Sequence, residues 1–350
     1  MRIYDVLQEA VSRHASDILL IAGLPISYKI NGVITRGEER LPLPQLAELV
    51  EQTYELAKRD ITTLLETGDD DFSFGMPELA RFRVNALRQR GTLGLVIRAV
   101  PFVLPDPGLL GIPESVMSFA THTHGMMLLT GSAGSGKTTT LACLVDRINS
   151  TRNAHVVTIE DPIEYLHQHK LGIVTQRELT LDTRDYQTAL RAALREVPDV
   201  ILVGEMRDPD TIRAAVTAAE TGHLVLSTLH TFGAANTIDR IIDSFDARQQ
   251  QQIRSQLSQA LVGVVSQRLV NKKEGGLTPV FEIMTMTSAV RNMIRESKVH
   301  QLDNLIATSA AAGMISMDQS LLRMVQEGVI TKEEALQCSS DGEWMKKKLT

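Results

Sequence analysis

Gly131-Ser132-Ala133-Gly134-Ser135-Gly136-Lys137-Thr138 stands between a strand-like run, MMLLT (126–130), and a helix-like run, TTTLACLVDRI (138–148). The octapeptide has the form G-x-x-x-x-G-K-[ST], and strand–loop–helix is the setting in which that spacing acquires meaning. Each position has a physical reason. Glycines let successive backbone N–H groups converge on phosphate oxygens, and the helix N-terminus adds positive potential at the same spot. Lys137 is long enough to reach β- and γ-phosphates, and the Thr138 hydroxyl can ligate Mg²⁺. Gly131 to Thr138, continued by Thr139, is therefore the candidate binding set for ATP with Mg²⁺.

Outward from this loop, runs rich in Val, Ile and Leu (MMLLTG, HVVTIEDP at 155–162, DVILVGE at 199–205 and HLVLSTLH at 223–230) alternate with helix-like segments. That alternation predicts an α/β fold with a mostly parallel sheet between layers of helices. In open sheets of this kind ligands collect beyond the carboxyl ends of the strands. Glu160, Asp161 and Glu164 follow one such strand and Glu205 another, so all four face the phosphate loop if their strands neighbour it. Phosphoryl transfer asks a protein for a metal anchor, an oriented water and positive charge on the equatorial oxygens. Taken together these carboxylates suit that task; any one of them taken alone would as readily cap a helix or pair with Arg207 or Arg213. His223 and His230 bracket LVLSTL at its two ends. His230 sits where a γ-phosphate sensor would stand, and His223 lies at the far end, where it could reach an interface.

The N-terminal part reads differently. Ile3, Val6, Leu7, Ala10 and Val11 form one apolar helical stripe, and ILLIAG follows as a buried strand. Ile26 to Ile30 alternates up to Asn31-Gly32, a hairpin signal. Pro42 and Pro44 open a helix running through Leu56, and ARFRVNALRQR and TLGLVIRAV form two strands joined around Gly91. Arg81 and Arg83 alternate on the first of these and project from one face. Four of the twelve prolines (Pro101, Pro105, Pro107, Pro113) then fall within PFVLPDPGLLGIP, where neither helix nor central strand can run. The expected division is an α+β domain at 1–104, a linker at 105–115, a nucleotide-binding core at 116–270 and a wholly helical region at 271–350. In that last region Ser316 with Gln319, and Thr331 with Glu334, have capping-box spacing, and Gly328 marks a helix stop.

Composition narrows the partners. The 350 residues are 43% hydrophobic and 22% charged, an ordinary globular balance, and 36 Lys plus Arg against 42 Asp plus Glu leave a net charge of −6. No global field attracts nucleic acid. Asp5 and Glu9 interrupt the apolar N-terminal stretch, which excludes a signal or transit peptide, and no apolar run reaches the ~18 residues of a membrane span. A cytosolic protein is expected. Cys143 and Cys338, far apart in the chain, imply packed thiols rather than a disulfide, and two cysteines cannot build a four-thiolate zinc cluster.

Together these segments resemble the secretion/pilus-motor ATPase superfamily, specifically the type IV pilus retraction ATPases of the PilT family. The resemblance runs over nearly the whole chain: ASDILLIAGLP, ARFRVNALRQRG, the phosphate loop, TIEDPIEYLHQ, DVILVGEMRD, TAAETGHLVLSTLHT and AVRNMIRE at 289–296. It implies a RecA-like P-loop ATPase core preceded by a small PAS-like α+β domain and followed by a helical region. By resemblance, TIEDPIEYLH is the aspartate box holding Glu160 and Asp161, with Glu164 as catalytic base. Glu205 matches the Walker B glutamate that organises Mg²⁺ and water, and GHLVLSTLH is the histidine box. The family works as homohexamers, so Arg81 and Arg83 would act on a neighbour's nucleotide. A membrane platform protein and related motor ATPases are the implied further partners, and the motor would sit on the cytoplasmic face of the membrane at the pilus base. Assembly-type relatives usually carry a long N-terminal extension and a four-cysteine zinc motif; this chain has neither, which favours retraction, by a primary motor or a secondary paralogue. Ile18 and Leu19 replace the family's usual histidine in the first strand.

Three other readings compete. Asn271-Lys272-Lys273-Glu274 approximates the N-K-x-D of a guanine-nucleotide switch, but its final Glu and the following Gly275-Gly276 make a surface turn. A nucleic-acid translocase needs a basic, often aromatic-lined channel, and only 4% of residues are aromatic. A nucleotide-gated scaffold would bind ATP without turning it over.

Overall fold

Unbroken apolar strands and alternating ones mark two different sheets. The computed structural model describes residues 1–350 apart from 31, 77, 78 and 101–103. Asn31 of the expected turn and Pro101 at the head of the proline-rich stretch lie outside the described residues. The chain forms two compact units, Met1–Val103 with Glu164–Leu166, and Leu104–Ile163 with His167–Thr350.

In the first unit β1 (Asp17–Leu20), β2 (Pro25–Ile30), β3 (Val33–Arg40), β4 (Asp69–Met76), β5 (Ala80–Gln89) and β6 (Thr92–Val100) pair in the order β3-β2-β1-β6-β5-β4. Every pairing is antiparallel. One face is packed: Phe82, Val84 and Ala86 of β5 are buried, while Arg81 is half-buried and Arg83 exposed on the other face. The helix Ile3–Ser12 buries Ile3, Val6, Leu7 and Ala10, the stripe its spacing predicts. The strand β4 is hidden in the sequence by Asp69-Asp70-Asp71, which reads as a turn. Tertiary pairing overrides that local signal. Arg59 donates to both carboxylate oxygens of Asp70 at 2.9 and 2.7 Å, and the Tyr54 hydroxyl adds a third bond at 3.0 Å.

The second unit holds β7 (Gly125–Thr130), β8 (His155–Glu160), β9 (Ile173–Glu178), β10 (Val200–Val203), β11 (Leu224–Leu229), β12 (Leu261–Asn271) and β13 (Leu277–Thr285). Their order is β13-β12-β7-β11-β10-β8-β9, and all pairs are parallel except β12 with β13. The expected α/β fold with a mostly parallel sheet is thus present. Met126 and Leu128 of β7 enter the core on one face, and Met127 and Leu129 enter a separate core on the other. Both faces are covered by helices, which is why β7 reads as an uninterrupted apolar run.

The region after residue 271 departs from expectation, because it is not wholly helical. LTPVFEIMT forms β13 at the sheet edge, joined to β12 through a turn in which Gly275 and Gly276 have φ of 90° and 78°. Pro279 discourages a strand reading, yet an edge strand can turn its missing N–H away from the ladder. The Asn271–Glu274 segment leads into this exposed turn. Beyond it, Ser316 and Gln319 make a complete capping box, and Gly328 at φ 77° follows the helix Met317–Gln326. At Thr331 only half of the second box forms, since Glu334 turns its carboxylate to Asn271 instead. Cys143 is buried, and its thiol is pushed up to about 11 by that burial, aided by Asp146 and Asp106.

Glu282 of β13 joins the C-terminal helices to the sheet. Its Oε1 accepts from the Ala234 N–H at 2.9 Å and its Oε2 from the Met317 N–H at 3.4 Å, so one carboxylate caps two helix N-termini. Burial holds this carboxyl above the usual glutamate range. Glu282→Ala should lower stability by about 1–3 kcal/mol, the cost of buried amides left unpaired, read from denaturant unfolding. A raised folded-state pKa means the carboxyl's titration adds stability below the unfolded value and loses it as pH rises through the folded one. The gap between wild type and variant should therefore be widest in mild acid and narrow toward neutrality.

Candidate active site

The phosphate loop leaves the carboxyl end of β7 under tight constraint. Gly131 has φ 148°, and a Cβ there would lie 2.2 Å from the Gln267 carbonyl oxygen and 2.7 Å from Ser135 Oγ, so only glycine fits. Ser132, Ala133 and Gly134 form an exposed crest. Gly136, at φ 85°, then caps the helix Lys137–Thr151, whose first turn presents half-buried Thr138 and Thr139. Lys137 is buried and donates to the carbonyls of Gly131 at 2.9 Å and Ser132 at 2.8 Å, so the loop curls around its ammonium. Ser135 Oγ is buried with no hydrogen-bond partner among the described residues. A buried cation, an unpaired hydroxyl and a helix N-terminus at one exposed crest fit a multiply charged oxyanion of polyphosphate type.

Next to β7 runs β11, and beyond it β10. These strands are locked together at their ends by Ser227 Oγ donating to the Val203 carbonyl at 2.7 Å and Thr228 Oγ1 to that of Gly204 at 2.6 Å. The strand ends thus hold Glu205 and His230 together, with His230 Nε2 3.4 Å from Glu205 Oε1. Arg207 takes the other oxygen at 2.8 Å, so pairing with Arg207 is realised alongside the histidine contact. The three residues line a cavity of about 190 Å³ with Arg240. Hard oxygen donors, Thr138 Oγ1 and the Glu205 carboxylate, are what Mg²⁺ selects.

Tyr186 is a member of this cluster that sequence reasoning missed. Burial raises its phenol above the usual range, with the charges of Asp161 and Glu205 adding to the effect. Its hydroxyl lies 3.0 Å from the position a Cβ on Gly204 would take. The signal in the sequence is faint: Asp185 caps the helix Tyr186–Ala193 through the Thr188 N–H, which fixes Tyr186 at its first position.

Other expected residues are dispersed. β8 stands third from β7, not beside it. Glu160 at its end is buried and accepts from Thr158 Oγ1 at 2.6 Å and Gln176 Nε2 at 3.3 Å, while Asp161 is exposed. Glu164 is exposed and belongs with the first unit, as do Arg81 and Arg83; the second unit by itself does not gather them at its strand ends. His223 lies at the far end of its strand from the loop, as its place before LVLSTL implies. Its carbonyl accepts from the Gly125 N–H at the start of β7, roughly 20 Å along the strand from Gly131 at about 3.3 Å per residue. Within one chain His223 therefore cannot touch a nucleotide on the loop, and its ring nitrogen Nδ1 instead lies 3.0 Å from the Ala218 carbonyl.

Residues 2–337 match the family described as "Type II/IV secretion system protein". The chain belongs to that family. It is 44% identical over 341 residues to the type IV pilus retraction ATPase PilT of Pseudomonas aeruginosa, covering 96% of this chain and 97% of that protein. It is 48% identical over 276 residues to a twitching motility protein of Neisseria gonorrhoeae, covering 79% and 74% of the two chains. Among solved structures, the pilus retraction motor PilT with bound ADP superimposes with a TM-score of 0.91 at 42% identity, covering 99% of both chains. The resemblance seen in the motifs is borne out. Among the described residues no helix is long and apolar enough to cross a membrane.

The loop geometry makes a sharp prediction within this family. Gly131→Ala should abolish tight nucleotide binding, because its methyl would displace the Gln267 strand or Ser135. Gly134→Ala meets open space and should cost only about 1–2 kcal/mol of left-handed backbone strain. Titration with a fluorescent ADP analogue distinguishes the two.

Proposed function

We propose that this chain is the ATP-hydrolysing motor of type IV pilus retraction, the activity behind twitching motility. The observation that carries the reading is the phosphate loop curled around Lys137, with the Ser135 hydroxyl left for a ligand, in a chain so similar to PilT over its whole length. ATP is the nucleotide and Mg²⁺ its counter-ion, and no zinc is required. Loop amides from Gly131 to Thr139 and the Lys137 ammonium hold the polyphosphate, and Thr138 with Glu205 hold the metal, partly through water. Bound Mg²⁺ draws charge off the β- and γ-phosphate oxygens.

Glu164 acts as the base that takes the proton of the attacking water, with Glu160 and Asp161 in the same box. Glu205 orients that water, and to do so exchanges its Arg207 contact. His230 reads the γ-phosphate state through its contact with Glu205. Arg81 and Arg83 supply charge to the nucleotide of a neighbouring subunit, and His223, remote from its own loop, serves a subunit boundary. The RecA-like core, whose sheet continues past residue 270 to β13, moves against a PAS-like domain at 1–104 about the linker at 105–115, and a largely helical C-terminal region follows. The assembly is a homohexamer on the cytoplasmic face of the membrane at the pilus base. It engages the pilus platform protein and related motor ATPases, and does not take nucleic acid.

Glu205→Gln and Glu164→Gln should each lower phosphate release from Mg-ATP by a hundredfold or more, an effect of the size carried by positioned acid–base groups, while Kd for ATP stays within about threefold. Undiminished hydrolysis in both variants would remove the mechanism. Deleting the gene in its host should leave abundant surface pili that do not retract; loss of the pili themselves would indicate an assembly motor.

A further inference from the structure

Gln267 is assigned no role by the motifs, yet both ends of its buried carboxamide are engaged at the phosphate loop. It lies on β12, only 2% exposed, beside the strand that delivers the phosphate loop. Its Oε1 accepts from the Thr140 hydroxyl at 2.8 Å, and its Nε2 donates to the Ser135 carbonyl at 2.8 Å. The main chain takes part as well, since the Gln267 carbonyl occupies the space a Gly131 side chain would need. One residue earlier, Ser266 Oγ and Thr130 Oγ1 meet at 2.8 Å, which ties the same two strands just before the loop begins.

We propose that Gln267 is a positioning residue for the phosphate site, its carboxamide bridging Ser135 and Thr140 so that the intervening arc, Gly136 to Thr139, holds one curvature toward the β- and γ-phosphates. The arc contains Lys137 and Thr138, the two side chains whose placement matters most for phosphate and metal. Its ends are a carbonyl that needs a donor and a hydroxyl that needs an acceptor. Glutamine supplies both from a single planar group; glutamate supplies no donor, and leucine supplies neither. The packing leaves no slack, because Nε2 lies only 2.9 Å from where a Cβ on Gly136 would stand. A strand that is not part of the motif thereby sets the geometry of the motif. The inference rests on the reading of this loop as an ATP site.

The test is nucleotide affinity and steady-state kinetics in the full-length protein. Gln267→Leu should raise Kd for Mg-ATP and Mg-ADP and KM for ATP by about tenfold or more, from two lost hydrogen bonds at roughly two- to tenfold each. The fall in kcat at saturating ATP should be smaller than the rise in KM, as for loss of binding common to ground and transition states. Because a core variant can fold poorly, Thr140→Val provides a second arm: it removes the donor to Gln267 and should raise KM by about threefold, and Thr140→Ser should restore it. Wild-type affinity in both Gln267→Leu and Thr140→Val would overturn the proposal while leaving the motor reading intact. Loss of affinity that merely tracks loss of thermal stability, with Thr140→Ser as impaired as Thr140→Val, would overturn it too. A wild-type protein that binds no Mg-ATP would sink both.

Discussion

The parallel pairing of β7 between β11 and β12 is the constraint on which the rest of the second unit depends. A strand buried on both faces can end only at its tips, so whatever follows β7 must emerge at the carboxyl edge of the sheet. What emerges is a glycine-rich turn held against the β12 backbone at Gly131 and curled around a buried lysine. β11 on one side brings His230 to the same edge, and β12 on the other brings Gln267. The candidate site is therefore a property of strand order as much as of any motif.

Polar side chains at that edge do two kinds of work. Ser227, Thr228, Thr130 and Ser266 hold strand ends to one another. Glu205 is different, because its two oxygens are shared between His230 and an arginine that is mostly exposed. The arginine end of this pair lies in solvent, which weakens its hold on the mostly buried carboxylate.

Legibility in the sequence followed locality. The helix Ile3–Ser12, the hairpin strands on either side of Gly91 and the capping box at Ser316–Gln319 depend on side chains a few residues apart, and each was readable. β4 and β13 were not, because three aspartates in one and a proline in the other argue locally for a turn. Each is instead an edge strand held as a hairpin by its neighbour in the chain, β4 by β5 and β13 by β12, and Asp70 of β4 is held in addition by Arg59 and Tyr54. Tyr186 escaped for a similar reason: a single tyrosine at a helix start carries no period and no motif, and only folding brings its hydroxyl near Asp161 and Glu205.

Sequence alone determined that a phosphate loop joins a buried strand to a helix, since that requires only eight contiguous residues whose backbone freedom and charges act locally. It also determined the family, through motifs spread over nearly the whole chain. Tertiary structure decided which carboxylate meets which histidine, that β8 stands third from the loop strand, and that Gln267 braces the loop from a strand 132 residues beyond Ser135. Such contacts join residues whose separation along the chain leaves no period to read, and the order of strands in a sheet is settled by packing both of its faces at once.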